Sequence, residues 1–280
     1  MARACLEEGL ELYDPAQRAL YGEMTSVDTH VALLGYLAQT LACCGQLDQA
    51  HSLCEEAIAE ARDTSYAPTL AHILWSAWCT GWSAHSEPST LLRYTDELLA
   101  LSADRELAFW HKAGMVSRGW CLAVLGRGEQ GVSLLTDGLS DLGTTIFGPL
   151  VLTMLADASR IVGQPGVGLA HLTEAERQAE ATHVRWCQSE ILRMRGVLLT
   201  LTGDRVAAEA SFRDAITVAQ QQSAKFFELR AALDLARHWH AQGKHDEARD
   251  LLAPIYGWFT EGFDTLDLKE AKALLDGLAP

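Results

Sequence analysis

The chain has 280 residues, with 22 Lys and Arg against 37 Asp and Glu, so its formal net charge is −15; 49% of its residues are apolar. That balance repels phosphate backbones and anionic lipid, so neither nucleic acid nor a membrane surface is expected as a partner. The apolar share suffices for a sizeable core, or for a repeat stack whose core grows along one dimension.

Seven cysteines (Cys5, Cys43, Cys44, Cys54, Cys79, Cys121 and Cys187) show no framework spacing and no CxxC, and read as reduced thiols in a cytoplasmic protein. Met1-Ala-Arg-Ala-Cys-Leu runs straight into Glu7 and Glu8, unlike a signal peptide, and no apolar run is long enough to span a bilayer.

Apolar residues recur at i, i+3, i+4 and i+7, and strand-like alternation is missing. The pattern predicts helices over 2–13, 27–44, 47–62, 67–83, 88–101, 104–125, 128–141, 147–162, 165–181, 185–202, 205–222, 225–242, 245–260 and 265–278. Residues 2–13 resemble the second helix of a pair lacking its first, so either a piece of something longer or a lone capping helix is expected. Pro68, Pro88, Pro149 and Pro165 stand where helices begin and a missing N–H costs little. Pro254 and Gly257 predict a kink or break in helix 245–260, and Asp264 and Asp267 predict a cap and an acidic first turn for the last helix.

A turn position recurs at Gly45, His85, Gly126, Gly163, Gly203 and Gly243, at spacings of 40, 41, 37, 40 and 40. In the second hairpin Gly81 is the alternative turn. Counting the turn as position fifteen, small residues fall at position eight (Ala38, Gly119, Ala156, Gly196, Ala236) and at position twenty (Ala50, Gly131, Gly168, Ala208, Ala248). Position twenty-four holds Cys54, Leu135, Leu172, Phe212 and Leu252. Small residues let paired helices approach closely, and the larger residue fills the gap between pairs. One hairpin cannot bury its apolar face alone, so stacking is obligatory.

The expected fold is therefore all-α: one right-handed superhelical solenoid over 1–280, with hairpins at 27–62, 67–101, 104–141, 147–181, 185–222 and 225–260 and a capping helix at 265–278. The layout resembles the tetratricopeptide repeat, most closely through Gly196, Gly203, Ala208, Phe212 and Ala215, although its period is near 40 rather than ~34. Residues 254–272, Pro-Ile-Tyr-Gly-Trp-Phe-Thr-Glu-Gly-Phe-Asp-Thr-Leu-Asp-Leu-Lys-Glu-Ala-Lys, are more specific. With Leu229–Arg237, Arg118-Gly-Trp120 and Leu10–Pro15, they resemble the C-terminal tail of bacterial multidomain signalling proteins. In those proteins a class III nucleotide cyclase domain, an AAA-like or STAND-type ATPase domain, or both, precede such a tail. The resemblance implies a regulatory or interaction module beside such a domain, and it carries over no catalytic residue.

Chemistry-bearing motifs are sparse. Gly243-Lys244 continues into His245, and Gly163–Gly168 reads as a hairpin turn; neither has the pattern of a phosphate loop. His238 and His240 point to opposite flanks of one helix and make a poor metal pair. His72 and Cys79 share a helix, but stacked helices have their backbone N–H groups already bonded and seldom offer an oxyanion hole. No catalytic residue, cofactor or metal is assigned, and no enzyme is expected.

Binding is the expected activity. In such stacks the first helix of each pair lines the inner, concave wall. Its outward positions give His72, Trp75 and Trp82, then Trp120, then Asp157 and Arg160, then Glu190 and Arg193, then Arg230, Arg237 and His240. The tryptophans also suit core packing, and the charges also suit a solvated face with local ion pairs. Read as a groove, the wall is aromatic first and arginine-rich later, suiting an extended peptide or acidic segment of a protein partner. Two alternatives stand beside that reading: a small-molecule-sensing domain, and a structural tail that makes homo-oligomers. Arg118 and Arg195 are expected to snorkel or to pair with a carboxylate such as Glu209.

Overall fold

The computed structural model describes residues 2–143 and 145–278, and among these it contains helices and no strand. The chain is an all-α stack of helical hairpins, an α-solenoid, whose contacts fall into two compact units, Met1–Ser117 and Arg118–Pro280.

The first unit holds α1 (Ala2–Leu12), a 3-10 turn (Pro15–Gln17), α2 (Arg18–Met24), α3 (Thr29–Cys43), α4 (Leu47–Thr64), α5 (Ala67–Ser83), α6 (Pro88–Asp104) and the start of α7 (Ala108–Val124). Helix α3 begins where the Asp28 carboxylate accepts the Val31 N–H at 3.1 Å, satisfying one orphan donor. Pro68 and Pro88 open α5 and α6 as expected. Ile58, Ile73, Leu74, Trp78, Leu91 and Leu98 are fully buried between these helices.

The second unit holds the rest of α7, α8 (Gly128–Leu142), α9 (Gly148–Ile161), α10 (Pro165–Thr182), α11 (Gln188–Thr202), α12 (Arg205–Gln222), α13 (Lys225–His240), α14 (His245–Tyr256) and α15 (Leu266–Gly277). The first helices α9, α11 and α13 lie side by side, α11 touching both neighbours. One of its cores gathers Leu152, Leu172, Ala175, Ile191, Met194 and Leu198 from α9, α10 and α11.

All six expected turns close in the left-handed region: Gly45, Gly126 and Gly203 at φ 88°, Gly163 at 74°, Gly243 at 77° and His85 at 50°. The Gly203 N–H reaches the Thr200 carbonyl at 3.2 Å and the Asp204 N–H the Leu199 carbonyl at 3.0 Å, so two orphan carbonyls of α11 are met. The second hairpin turns at His85, while Gly81 lies inside α5 against Leu91. Small residues do what their spacing suggested. A Cβ on Gly131 would stand 2.5 Å from the Gly119 carbonyl oxygen, and one on Gly196 would stand 2.5 Å from the Phe212 ring. Cys54, Leu135, Leu172, Phe212 and Leu252 are all buried at position twenty-four.

Three local features differ from the sequence reading. Helix α2 was not foreseen: seven residues are too few for periodicity to show. Helix α7 starts at Ala108 rather than 104, because α6 runs on to Asp104 and Glu106 then takes a left-handed φ of 56°. The last helix is preceded by Thr265 rather than Asp264. Asp267 does stand in its first turn, and its carboxylate turns inward toward Arg230. The break expected near Pro254 falls at the end of α14, two residues past the proline. Both flanking helices find partners: α1 lies on α3, with Gly9 against Leu33, and α15 lies on α13 and α14.

Candidate functional site

In the first unit the sequence singled out His72, Trp75 and Trp82 on α5. All three are buried. Trp75 stacks on Trp78, with ring centroids 5.6 Å apart and planes 11° apart. The His72 ring meets Tyr36 of α3 edge-on at 5.5 Å and Trp110 of α7 at 5.6 Å. Burial among these rings pushes its pKa down to about 4, so the imidazole is neutral, and its Nε2 has no hydrogen-bond partner among the described residues. Seven residues on, the Cys79 thiol is fully buried and its pKa is pushed up, the opposite of an activated nucleophile.

In the second unit the candidate residues fall on α7, α9, α11 and α13, and charge partners tie them together. The Trp120 Nε1–H donates to Asp157 Oδ2 at 3.1 Å, and Asp157 Oδ1 accepts both Nε and Nη2 of Arg160, at 2.9 and 2.8 Å. Beyond them runs a ladder of alternating charge. Arg193 Nε donates to Glu190 at 3.1 Å and its Nη1 to Asp234 Oδ2 at 2.7 Å. Arg230 Nη1 lies 2.7 Å from Glu190 Oε2, and its Nε 3.5 Å from Asp267. Arg237 continues outward, to Asp234 at 3.1 Å and Glu270 at 2.7 Å. Burial alone would lower the Arg193 pKa, but Glu190 and Asp234 more than offset it and raise it. Three guanidiniums thus meet four carboxylates (Glu190, Asp234, Asp267, Glu270), which leaves no spare positive charge in the ladder.

Beside the ladder lies a cavity of about 340 Å³, lined by Arg160, Val197, Thr200, Leu201, Arg205, Phe212, Asp234, Arg237, His238, Ala241 and Gln242. Val197 and the exposed Leu201 give it apolar surface, with Phe212 buried behind them. Three arginines stand around it, and two have carboxylates of their own. Arg205, exposed in the first turn of α12, has no carboxylate partner among the described residues. His238 lies buried beside it, and burial lowers its pKa. Sequence counting reached Arg160 and Arg237 but missed Arg205, because only first-helix positions were counted and Arg205 opens a second helix.

Other expectations resolve locally. Arg195 pairs with Glu176 of α10 at 2.7 Å rather than with Glu209, which takes Arg213 at 2.9 Å and Lys244 at 3.7 Å. Arg195 looks back to the preceding helix, so α12 is out of its reach. Glu176 and Arg195 line a second cavity, about 460 Å³, between α10 and α11, with Glu180, Arg185 and Gln188. His240, expected on the inner wall, lies exposed at the end of α13, its Nδ1 2.8 Å from Nδ1 of His245. Among the described residues no three His, Cys, Asp or Glu are grouped to share a metal ion, and no helix is long and apolar enough to cross a membrane.

Comparison with protein-family models and with curated proteins finds no match. Among solved structures the chain is similar to the crystal structure of the apo form of RapI. The TM-score is 0.59 at 12% sequence identity, over 99% of this chain and 90% of that one. At that identity the likeness establishes a shared helical-repeat fold.

Proposed function

We propose that the chain is a non-enzymatic protein-interaction or regulatory module that docks a peptide segment on the second unit. One observation carries this reading: Arg205, free of any carboxylate partner among the described residues, stands at the mouth of an apolar-floored cavity about 340 Å³ in volume. Such a volume falls within the usual range for ligand sites, ~300–1,000 Å³. An acidic side chain or terminal carboxylate pairs with the Arg205 fork, and an adjacent aliphatic or aromatic side chain rests against Val197 and Leu201. Arg193 and Arg230 take no part in the contact, since Glu190, Asp234 and Asp267 already neutralise their charge.

The resemblance of residues 254–272 to signalling-protein tails extends the proposal: the docked segment belongs to, or controls, an ATPase or nucleotide cyclase module in cis or in trans. The net charge of −15 supports a setting away from nucleic acid and membrane surfaces, and seven cysteines without framework spacing support a cytoplasmic one. An array of short peptides pairing Asp or Glu with Leu, Phe or Trp, probed with the full chain, tests the reading. Peptides with both features should bind and lose binding to an Arg205→Glu variant; equal binding by both proteins would refute the site.

A second reading has its own observation. The 460 Å³ cavity between α10 and α11 carries Arg185 and Arg195 facing Glu176 and Glu180, a charge pattern suited to a small zwitterion such as an amino acid. A melting-temperature screen with amino acids and dipeptides separates the two. A rise that Arg195→Ala abolishes and Arg205→Glu leaves intact would favour a small-molecule sensor.

A further inference from the structure

His240 and His245 meet ring nitrogen to ring nitrogen across a helix-to-helix turn. His240 is the last residue of α13 and His245 the first of α14, and both rings are exposed. The turn between them is held by its backbone: the Gly243 N–H reaches the His240 carbonyl at 3.0 Å, the Lys244 N–H reaches the Trp239 carbonyl at 3.0 Å, and Gly243 takes φ 77°. The two Nδ1 atoms stand 2.8 Å apart, with ring centroids 4.7 Å apart. In the neutral pair one Nδ1 carries the proton and the other accepts it.

We propose that this pair is a site for a divalent transition-metal ion of tetragonal preference, with the two Nδ1 atoms as cis ligands and water completing the coordination. The metal class follows from how close the two rings are held. The 2.8 Å is the distance in the hydrogen-bonded pair; kept on binding, with bonds of about 2.0 Å, it sets an angle of about 90° at the ion, whereas a tetrahedral ion would push the nitrogens to about 3.3 Å. An angle near 90° is the cis angle of tetragonal Cu(II) or Ni(II), not of Zn(II). The proton count balances: one ring moves its proton from Nδ1 to Nε2, both Nδ1 lone pairs bind the ion, and no proton is released. The neighbouring cations are engaged elsewhere. Lys244 Nζ is 3.7 Å from Glu209, and Arg237 is held by Asp234 and Glu270. The ion would staple α13 to α14 beside Ala241 and Gln242 of the arginine-rimmed cavity. The proposal does not depend on a peptide binding there.

Calorimetric titration of the full chain with Ni(II) chloride, in a non-chelating buffer with the thiols kept reduced, tests it. One equivalent should bind. His240→Ala and His245→Ala should each weaken that binding tenfold or more, while His51→Ala, at an exposed histidine on α4, should leave it unchanged. Both substitutions are at exposed positions, and circular dichroism verifies that the variants are folded. Cu(II) added to the wild type should give a tetragonal electron paramagnetic resonance spectrum with nitrogen coupling. The site is refuted by absent stoichiometric binding, by binding that both alanine variants retain, or by Zn(II) binding more tightly than Ni(II).

Discussion

Arg193 of α11 and Asp234 of α13 are 41 residues apart in sequence, and their side chains meet at 2.7 Å. One period of the repeat separates them, so the same stretch of wall recurs in the next hairpin and brings opposite charges face to face. Glu190 receives both Arg193 and Arg230 while itself 1% exposed. Buried charges of this kind add little to stability, because desolvation offsets much of their attraction.

Removing one member therefore costs more than replacing all of them. Glu190→Gln leaves two buried guanidiniums short of a carboxylate and should destabilise the second unit by about 3–5 kcal/mol in urea unfolding. Replacing Glu190, Arg193, Arg230 and Asp267 together with apolar residues, which leaves Asp234 paired with Arg237, should cost less than that single change. A single variant as stable as wild type would show that the ladder is solvated rather than buried.

Close approach at Gly196 is set by Phe212. A Cβ there would lie 2.5 Å from the ring, so Gly196→Ala should cost about 1–3 kcal/mol by overpacking. Phe212→Leu in the same chain should recover part of that loss. Additive losses in the double mutant would mean that the two residues do not share the site.

Turn residues should respond in opposite directions. Gly203 at φ 88° has open space around it, so Gly203→Ala meets only backbone strain, about 1–2 kcal/mol. His183 caps α10 at φ 57°, and His183→Gly relieves the same strain and should stabilise by up to about 1 kcal/mol. Thermal melts of the two variants give the comparison, and a stabilised Gly203→Ala would contradict it.

Acid sensitivity should trace in part to His72. Its folded pKa of about 4 lies below the ordinary 6.5, so between those values the unfolded chain binds the extra proton. Its contribution is complete above pH 6.5 and is lost as pH falls toward 4, at up to about 1.4 kcal/mol per pH unit. His72→Phe keeps the ring contacts with Tyr36 and Trp110 and should flatten the stability profile across that window. An unchanged slope would place the acid sensitivity elsewhere.

The hairpins were legible in the sequence because the chain repeats itself: α5 and α12 begin and end where periodicity placed them, and His85 turns the chain as its spacing required. Side-chain partners were less legible. Trp75 and Trp82 were assigned to a wall by helical spacing, but spacing does not tell a lining ring from a buried one. Arg193 and Arg230 read as an anion-binding wall, and only packing revealed that Glu190 and Asp234 already occupied them. His240 and His245 were invisible as a pair, since ligand spacing was sought along one helix while a left-handed turn at Gly243 joins two.

The most direct test of the proposed docking site is the affinity of one acidic-aliphatic peptide for four proteins: wild type, Arg205→Ala, Arg205→Glu and Arg185→Ala. Arg205→Ala should weaken binding about tenfold or more, as expected for a lost charged hydrogen bond. Arg205→Glu should abolish binding, and Arg185→Ala, in the other cavity, should leave it unchanged. Equal affinity across all four proteins would contradict the account.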